Sequence, residues 1–288
     1  MSHSIGPVAF QGARYAFSEI AARKFFAQEM DLLPCRSFDE AFEAVESEKA
    51  EFAVVPIENS LTGSIHRVYD LLLQHDLLIV GETSLRIEQH LIAHPGAKLE
   101  DIRIIYSHPQ ALEQCREFLA SLPNVEAVAA YDTAGSVKMI RDQGLRHAAA
   151  IGSRWAAEDY GMVILCEEVE DIPENFTRFI VLAREEHDFG PADKTSIVFS
   201  MKNIPGALFK SLSVFALRDI DLLKIESRPM RGRPWDYIFY LDFAGSLHEE
   251  LCRNALRHLE EITDMLKVLG SYPSAVGRSS KEEKTIEV

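Results

Sequence analysis

Three side chains with hydrogen-bonding chemistry crowd together at Asn175, Thr177 and Arg178. They are interleaved with Phe176 and Phe179 and run straight into the apolar stretch Ile180-Val181-Leu182-Ala183. In an extended backbone, side chains alternate between two faces with a period of two. Asn175, Thr177 and Phe179 then share one face, and Phe176, Arg178 and Ile180 the other. A hydroxyl and an amide beside phenyl rings, at the mouth of a buried strand, suit a small polar ligand. The same pattern also describes an ordinary strand with a polar end. Arg178 falls opposite Thr177 in a regular strand, which favours a structural ion pair; a bulge would turn it toward a ligand carboxylate instead.

A second polar turn is Val55-Pro56-Ile57-Glu58-Asn59-Ser60-Leu61-Thr62-Gly63-Ser64. Pro56 fixes the exit of a strand and Gly63 permits a left-handed residue. Asn59 and Ser60 offer donors to a carboxylate, and the first N–H groups of a helix near Ser64 suit an anion. A plain helix cap fits the same residues. In Ser107-His108-Pro109-Gln110 a helix opens directly after a strand, with Ser107 as N-cap and Pro109 in the first turn. Gln110 and Gln114 lie one turn apart on one face. His108 has acid–base chemistry, but at a helix start it serves equally to orient a neighbour. His90 and His94 lie on what reads as a strand, so they do not converge on a metal, and no carboxylate completes a site. The spacings of nucleotide-phosphate loops, a GxSxG elbow and a Cys/His nucleophile pair are not found. What remains is a site of amides, hydroxyls and one arginine, expected to work without metal or cofactor.

The frame around these residues reads as α/β. Strands at 6–10, 32–35, 52–57, 102–106, 125–129 and 148–151 alternate with helices at 38–47, 64–74, 109–120, 133–143 and 154–160. A first helix starts at Ser18, read as its N-cap, and a long apolar stretch at 77–93 divides into two strands. Such alternation implies a largely parallel sheet with helices on both faces, and ligands bind beyond the carboxyl ends of its strands. Polar clusters stand at those ends: Gln11-Gly12, Glu58-Asn59-Ser60, Ser107-His108-Pro109-Gln110 and Asp132-Thr133-Ala134-Gly135. Two βα units near 5–75 and 78–170 imply two lobes flanking a cleft, with residues 175–183 returning to the first lobe. Residues 184–194 are charged, carry Gly190-Pro191 and read as a linker. Beyond them, strands at 195–201, 220–229, 236–243 and 265–269 and helices at 207–217 and 249–259 follow the order βαββαβ of a ferredoxin-like motif. Its exposed sheet edge favours dimerisation. Residues 274–288 are polar and aperiodic and are expected to fray.

Apolar residues make up 47% and charged residues 26% of 288, which supports a globular chain with a large core. A net charge of -15 argues against nucleic acid or an anionic membrane surface as partner. No apolar run reaches membrane-spanning length, and the first residues lack a signal-peptide pattern. Four widely spaced cysteines suit a reducing compartment, so a cytoplasmic protein is expected.

Taken together and in order, Val55-Pro56-Ile57-Glu58-Asn59-Ser60, Ser107-His108-Pro109-Gln110 with Gln114-Cys115, Asp132-Thr133-Ala134-Gly135, Asn175-Phe176-Thr177-Arg178-Phe179 and Glu226-Ser227-Arg228-Pro229 resemble the prephenate dehydratase family over about residues 5–275. The resemblance implies a catalytic domain at 1–185, two-lobed like a type 2 periplasmic-binding protein (lobes about 1–75 with 175–185, and 76–174). It further implies a linker at 186–194, a regulatory ACT domain at 195–275 and a tail at 276–288. The implied reaction is loss of carbon dioxide and the ring hydroxyl from prephenate to give phenylpyruvate, without cofactor. Thr177, Asn59, Gln114 and Ser107 fall on catalytic positions; Arg178, Glu58, Ser60, His108, Thr133, Ala134 and Phe179 fall on substrate-binding ones. Asn203, Gly206, Ala207, Leu208, Glu226 and Ser227 fall on effector positions, implying feedback inhibition by phenylalanine and self-association of the ACT domains as a homodimer or homotetramer. The chain departs from the family's first loop in reading Gly12-Ala13-Arg14-Tyr15-Ala16, which leaves the roles of Arg14 and Ser18 open. Arogenate dehydratase, whose substrate carries an amine in place of the keto group, and a non-enzymatic amino-acid-binding protein are the alternatives.

Overall fold

The computed structural model describes residues 5–130, 132–230, 232 and 235–275. Of the residues 274–288 expected to fray, 276–288 lie outside the described residues, whereas Ser274 is tied down by N–H and hydroxyl donation to Asp193 and Ala275 N donates to Glu82 at 3.0 Å. Two compact units emerge, Met1–Val68 with Ser84–Phe179, and Tyr69–Thr83 with Ile180–Val288.

The chain begins with β1 (Val8–Gln11), α1 (Phe17–Phe26), β2 (Leu32–Cys35), α2 (Phe38–Glu46), β3 (Phe52–Asn59), the short β4 (Gly63–Ser64) and α3 (His66–Gln74), whose residues from Tyr69 on belong to the second unit. β1 lies parallel to both β2 and β3. Val8, Ala9 and Phe10 have no exposed surface, as expected of a central parallel strand covered on both faces. The start of α1 differs from the expectation that Ser18 caps it. Ala16 holds the N-cap position, and the buried Glu19 carboxylate accepts the Tyr15 N–H at 2.8 Å while pairing with Arg23. A side chain inside the first turn thus satisfies the exposed end. For α2, Ser37 Oγ accepts from Glu40 N. Ser64 does not open a helix: it pairs with Glu58 across the β3–β4 hairpin, and α3 starts at His66.

β5 (Leu78–Arg86) leads to β6 (His90–Ala93), followed by β7 (Ile104–Ser107), α4 (Pro109–Gln114), α5 (Arg116–Ser121) and β8 (Glu126–Ala129). Then come α6 (Thr133–Asp142), β9 (Ala148–Gly152), α7 (Arg154–Asp159), β10 (Val163–Cys166) and β11 (Phe176–Ala183). The second sheet runs β10-β6-β9-β7-β8. β7 is parallel to β8 and β9, but β6 is antiparallel to β9 and β10, so this sheet is mixed rather than largely parallel. The first sheet, β2-β1-β3-β11-β5 with β4 on β3, is mixed as well.

The expected single helix at 109–120 is broken at Cys115 (φ -117, ψ 27). The Gln114 carbonyl accepts from Asp171 N at 2.7 Å, and the Asp171 carboxylate accepts from Glu117 N at 3.0 Å. These contacts replace the helical bonds at that step, so tertiary structure overrides a pattern that reads as continuous.

In the second unit, β12 (Lys194–Ser200), α8 (Ala207–Ala216), β13 (Leu222–Pro229), β14 (Tyr237–Ala244), α9 (Glu250–Ile262) and β15 (Met265–Tyr272) keep the expected βαββαβ order. The sheet β13-β14-β12-β15 is antiparallel throughout. Its helices cover one face around Ile197, Phe199, Val214, Phe215, Leu241, Phe243 and Leu259. Residues 69–83 belong to this unit. Tyr240 donates to the Tyr69 carbonyl at 2.7 Å, and the buried Lys194 ammonium meets Glu82 at 2.9 Å. A Cβ at Gly270 would lie 2.0 Å from the Ile79 carbonyl oxygen, so only glycine permits this approach. Among the described residues no helix is long and apolar enough to cross a membrane.

Candidate active site

Within the first unit, β3 and β11 are stitched together at their polar ends. Ser60 N donates to the Phe176 carbonyl at 2.8 Å, and Ser60 Oγ donates to the Glu174 carbonyl and accepts from Phe176 N. Side-chain alternation along β11 leaves Phe176 exposed, Thr177 buried, Arg178 half-buried and Phe179 buried. Thr177 and Arg178 therefore face opposite ways, as the period of two requires.

Asn59, only 4% exposed, organises the face that Thr177 occupies. Its Oδ1 accepts from Leu61 N (3.1 Å), Thr62 N (3.0 Å) and Thr62 Oγ1 (3.2 Å). Two backbone donors at one oxygen fix the amide's orientation. Its Nδ2 then donates to Asn175 Oδ1 at 2.6 Å and Thr177 Oγ1 at 2.9 Å, with the Phe176 carbonyl a longer third acceptor at 3.2 Å. The Thr177 oxygen is an acceptor in that bond, and its own proton meets no acceptor among the described residues. The hydroxyl is thereby left available as a donor to a molecule in the adjoining cavity, which Thr177 lines.

That cavity, about 350 Å³, lies between the two sheets. Thr177, Phe179, Asn59, Pro56 and Gln11 line it from the first sheet, and His108, Gln110, Gln114, Asp132 and Thr133 from the second. His108 and Gln110 stand at the β7–α4 step, Asp132 and Thr133 at the β8–α6 step, and Gln114 at the end of α4. His108 Nδ1 accepts from Gln110 N at 3.2 Å, which places the ring proton on Nε2. Burial holds the His108 pKa below its ordinary value, against a smaller upward pull from Asp132. Asp132 caps α6 through Gly135 N and reaches across to accept Ala13 N–H at 3.2 Å. No lysine or arginine is among the described lining residues. The arrangement offers neutral donors around a small polar molecule and one directed hydroxyl.

Residues 8–187 match the family model described as prephenate dehydratase. The chain belongs to the prephenate dehydratase family. An arogenate dehydratase/prephenate dehydratase 2 of Arabidopsis thaliana, described as chloroplastic, is 51% identical over 277 residues, spanning 92% of this chain and 72% of its own. The solved structure of a prephenate dehydratase from Arthrobacter aurescens in complex with L-Phe superposes with a TM-score of 0.86 at 31% identity, covering 98% of each chain. A structure described as GqqA, a novel type of quorum quenching acylase, gives a TM-score of 0.85 at 34% identity over 94% of this chain and 99% of that one. The protein is accordingly a carbon–oxygen lyase of the prephenate/arogenate dehydratase type.

Of the residues that the prephenate dehydratase motifs single out, Thr177, Asn59, Gln114, His108, Thr133 and Phe179 meet at the cavity. Others do not reach it. Ser107 is not the cap of α4 and has no exposed surface; its Oγ donates to the Ile151 carbonyl at 2.8 Å across to β9, and His108 takes the cap position. Ala134 is buried in the packing of α6. Ser60 is spent on the β3–β11 stitch. Arg178 and Glu58 pair with each other at 3.1 Å on the far face of their strands and are absent from the cavity's lining. Gln89, buried within the apolar stretch, also lines the cavity, and its Oε1 has no partner among the described residues. Its signal in the sequence was the polar triplet Glu88-Gln89-His90 interrupting apolar residues. Among the described residues no group of three His, Cys, Asp or Glu side chains is placed to hold a metal ion. In the loop that departs from the family, Gly12 lines the cavity, and Tyr15 (φ 68) donates its hydroxyl to Asp159 and its carbonyl accepts from Ser153 Oγ.

In the second unit a smaller cavity, about 230 Å³, opens where β12 turns into α8. Asn203, Gly206, Ala207 and Leu208 line it with Tyr237 and Phe239, and Gly206 sits at φ 81 as the N-cap of α8. Glu226 and Ser227 are on the edge strand β13 and are not part of its lining.

Proposed function

We propose that the protein converts prephenate to phenylpyruvate at the Thr177 cavity. The bond between the ring and its carboxylate breaks to release carbon dioxide, and that electron pair aromatises the ring as the C–O bond to the hydroxyl breaks. The hydroxide leaves with a proton as water. Aromatisation supplies the driving force, so the site has to position the substrate and stabilise the departing oxygen. The observation that carries this reading is the Thr177 hydroxyl: Asn59 Nδ2 occupies its oxygen and leaves its proton available to a molecule in the cavity. Donation into that oxygen polarises the O–H. A threonine hydroxyl is too weak an acid to transfer its proton outright at neutral pH, so its part is a hydrogen bond to the leaving oxygen, with the proton of water drawn from solvent. Gln114 and the neutral Nε2–H of His108 supply donors to the carboxylates, while Glu58 and Arg178 brace the two strands.

A second reading is supported by Asp132. Its carboxylate is the one anionic group among the described lining residues, and no cation stands beside it in the cavity. An ammonium in place of the keto group, as in arogenate, would find a partner there. Assay of both substrates for ring aromatisation, with the purified chain, tests the two readings together. Turnover of neither would overturn both, and hydrolysis of an acyl amide instead would mark an acylase. For that last activity Cys115, whose thiol burial pushes up to about 12, is a poor nucleophile.

For regulation, L-phenylalanine binds at the β12–α8 turn, its ring against Tyr237 and Phe239. Self-association runs along the edge strand β13, where Leu223 and Ile225 are exposed. Catalytic residues 1–185, linker 186–194 and ACT domain 195–275, in a cytoplasmic protein, complete the reading. Calorimetry with phenylalanine and light scattering test it; no binding, or a monomer, overturns the corresponding part.

A further inference from the structure

The hydrogen-bond chain that ends at Thr177 begins on the opposite wall of the cleft. Gln110, in the first turn of α4, donates Nε2–H to Thr62 Oγ1 at 2.9 Å. Thr62, in the β3–β4 turn, donates its own hydroxyl to Asn59 Oδ1 at 3.2 Å. Asn59 passes polarisation through its amide to the N–H that rests on Thr177 Oγ1 at 2.9 Å. Each bond in such a row strengthens the next, because a donor that is itself accepting carries more positive charge on its hydrogen.

Within this row, Gln110 to Thr62 is the step that crosses from the second sheet's wall to the first. Both side chains are exposed. A hydrogen bond between two solvated groups adds little to stability, because water replaces either partner when it breaks. Its loss, were the two walls to part, would therefore cost the fold little.

We propose that Thr62 and Gln110 are positioning residues that aim and polarise the Thr177 hydroxyl only when the cleft is closed. Closure over the substrate and readiness of the donor are then one event. This rests on the reading of Thr177 as the donor to the leaving oxygen.

The test is steady-state kinetics with prephenate for Thr62→Val, Thr62→Ser, Gln110→Leu and the double variant T62V/Q110L, each checked for an unchanged thermal melt. Thr62→Val keeps the shape of threonine and removes the hydroxyl; kcat should fall about 5- to 10-fold, the value of one hydrogen bond, with KM changed less than about 3-fold. Thr62→Ser should restore most of kcat. Gln110→Leu should lower kcat about 3-fold alone and have no added effect beside Thr62→Val, since both break one row. Wild-type kcat in Thr62→Val overturns the proposal. So does a Thr62→Ser as poor as Thr62→Val, which would mark a purely steric role. An equal Gln110→Leu effect in both backgrounds would mark direct substrate contact and also overturns it. Failure of the parent reading shows separately, as a Thr177→Ala variant that keeps its activity.

Discussion

Asn59 and Thr177 are 118 residues apart in sequence, yet Asn59 Nδ2 lies 2.9 Å from Thr177 Oγ1, both buried. The direction of that bond decides what the hydroxyl can do, since an oxygen that accepts from Asn59 has its proton free to give. Thr177→Ala should therefore lower kcat by about 10²- to 10³-fold with KM little changed, the usual value of one positioned donor to a developing oxyanion. Thr177→Ser should recover a substantial part. Steady-state kinetics that show a normal kcat for the alanine variant would remove Thr177 from the chemistry.

Replacement of Asn59 by aspartate is a sharper probe than its deletion. The retained Oδ1 still accepts the two backbone N–H groups at 3.1 and 3.0 Å, so the turn keeps its caps. The second oxygen now faces Thr177 and captures its proton, and it leaves Asn175 Oδ1 and the Phe176 carbonyl without their donor. Asn59→Asp should lose kcat about as severely as Thr177→Ala, within the same 10²- to 10³-fold range, while circular dichroism stays native. Activity near wild type would show that the donor direction does not matter.

Arg178 and Glu58 form a partly buried pair, their side chains 16% and 36% accessible. Solvent reaches mainly the glutamate and screens the pair in part, so its loss should cost about 1 kcal/mol. Arg178→Lys, which keeps charge but not the planar fork, should lower the urea midpoint slightly and leave KM within about 2-fold. A large rise in KM with an unchanged midpoint would return Arg178 to substrate binding.

The pH dependence of His108 has a fixed sign. Its pKa is lowered in the fold by burial, so the folded state binds protons less readily than the unfolded one near its ordinary value of about 6.5. The stability linked to it is full above that value and is lost as pH falls through the lowered folded pKa. Protonation also removes Nδ1 as acceptor for Gln110 N. His108→Asn, which caps without titrating, should flatten the fall in melting temperature below about pH 6.5. Parallel melting curves for both proteins would show that His108 is not the group responsible.

Gly206 holds φ 81 at the mouth of the smaller cavity, with open space around the position where a Cβ would stand. Gly206→Ala thus meets backbone strain rather than a clash, about 1 kcal/mol or more. Phenylalanine affinity measured by calorimetry should weaken severalfold, because the turn proposed to frame the ligand is the strained segment. Unaltered affinity would place the effector elsewhere.

Periodicity alone separated Thr177 from Arg178, because an extended chain must alternate its side chains whatever surrounds it. The order βαββαβ in the last third was equally local information, carried by apolar spacing and by the breaks between elements. The motifs, read in order, named the family before any contact was known. Contacts between distant segments were another matter. Ser107 reads as a helix cap, but the neighbouring strand offers the Ile151 carbonyl, and the cap falls to His108. The helix through Cys115 reads as continuous, but Asp171 takes its hydrogen bonds. β6 reads as one more strand in a parallel series, and only pairing shows it antiparallel. Gln89 reads as part of an apolar run, and only the packing of the two sheets puts it at the cavity. A sequence fixes periodicity and turn chemistry through short-range sterics. Which amide meets which hydroxyl across more than a hundred residues depends on sheet register and on how the two walls close, and those are set by the folded chain as a whole.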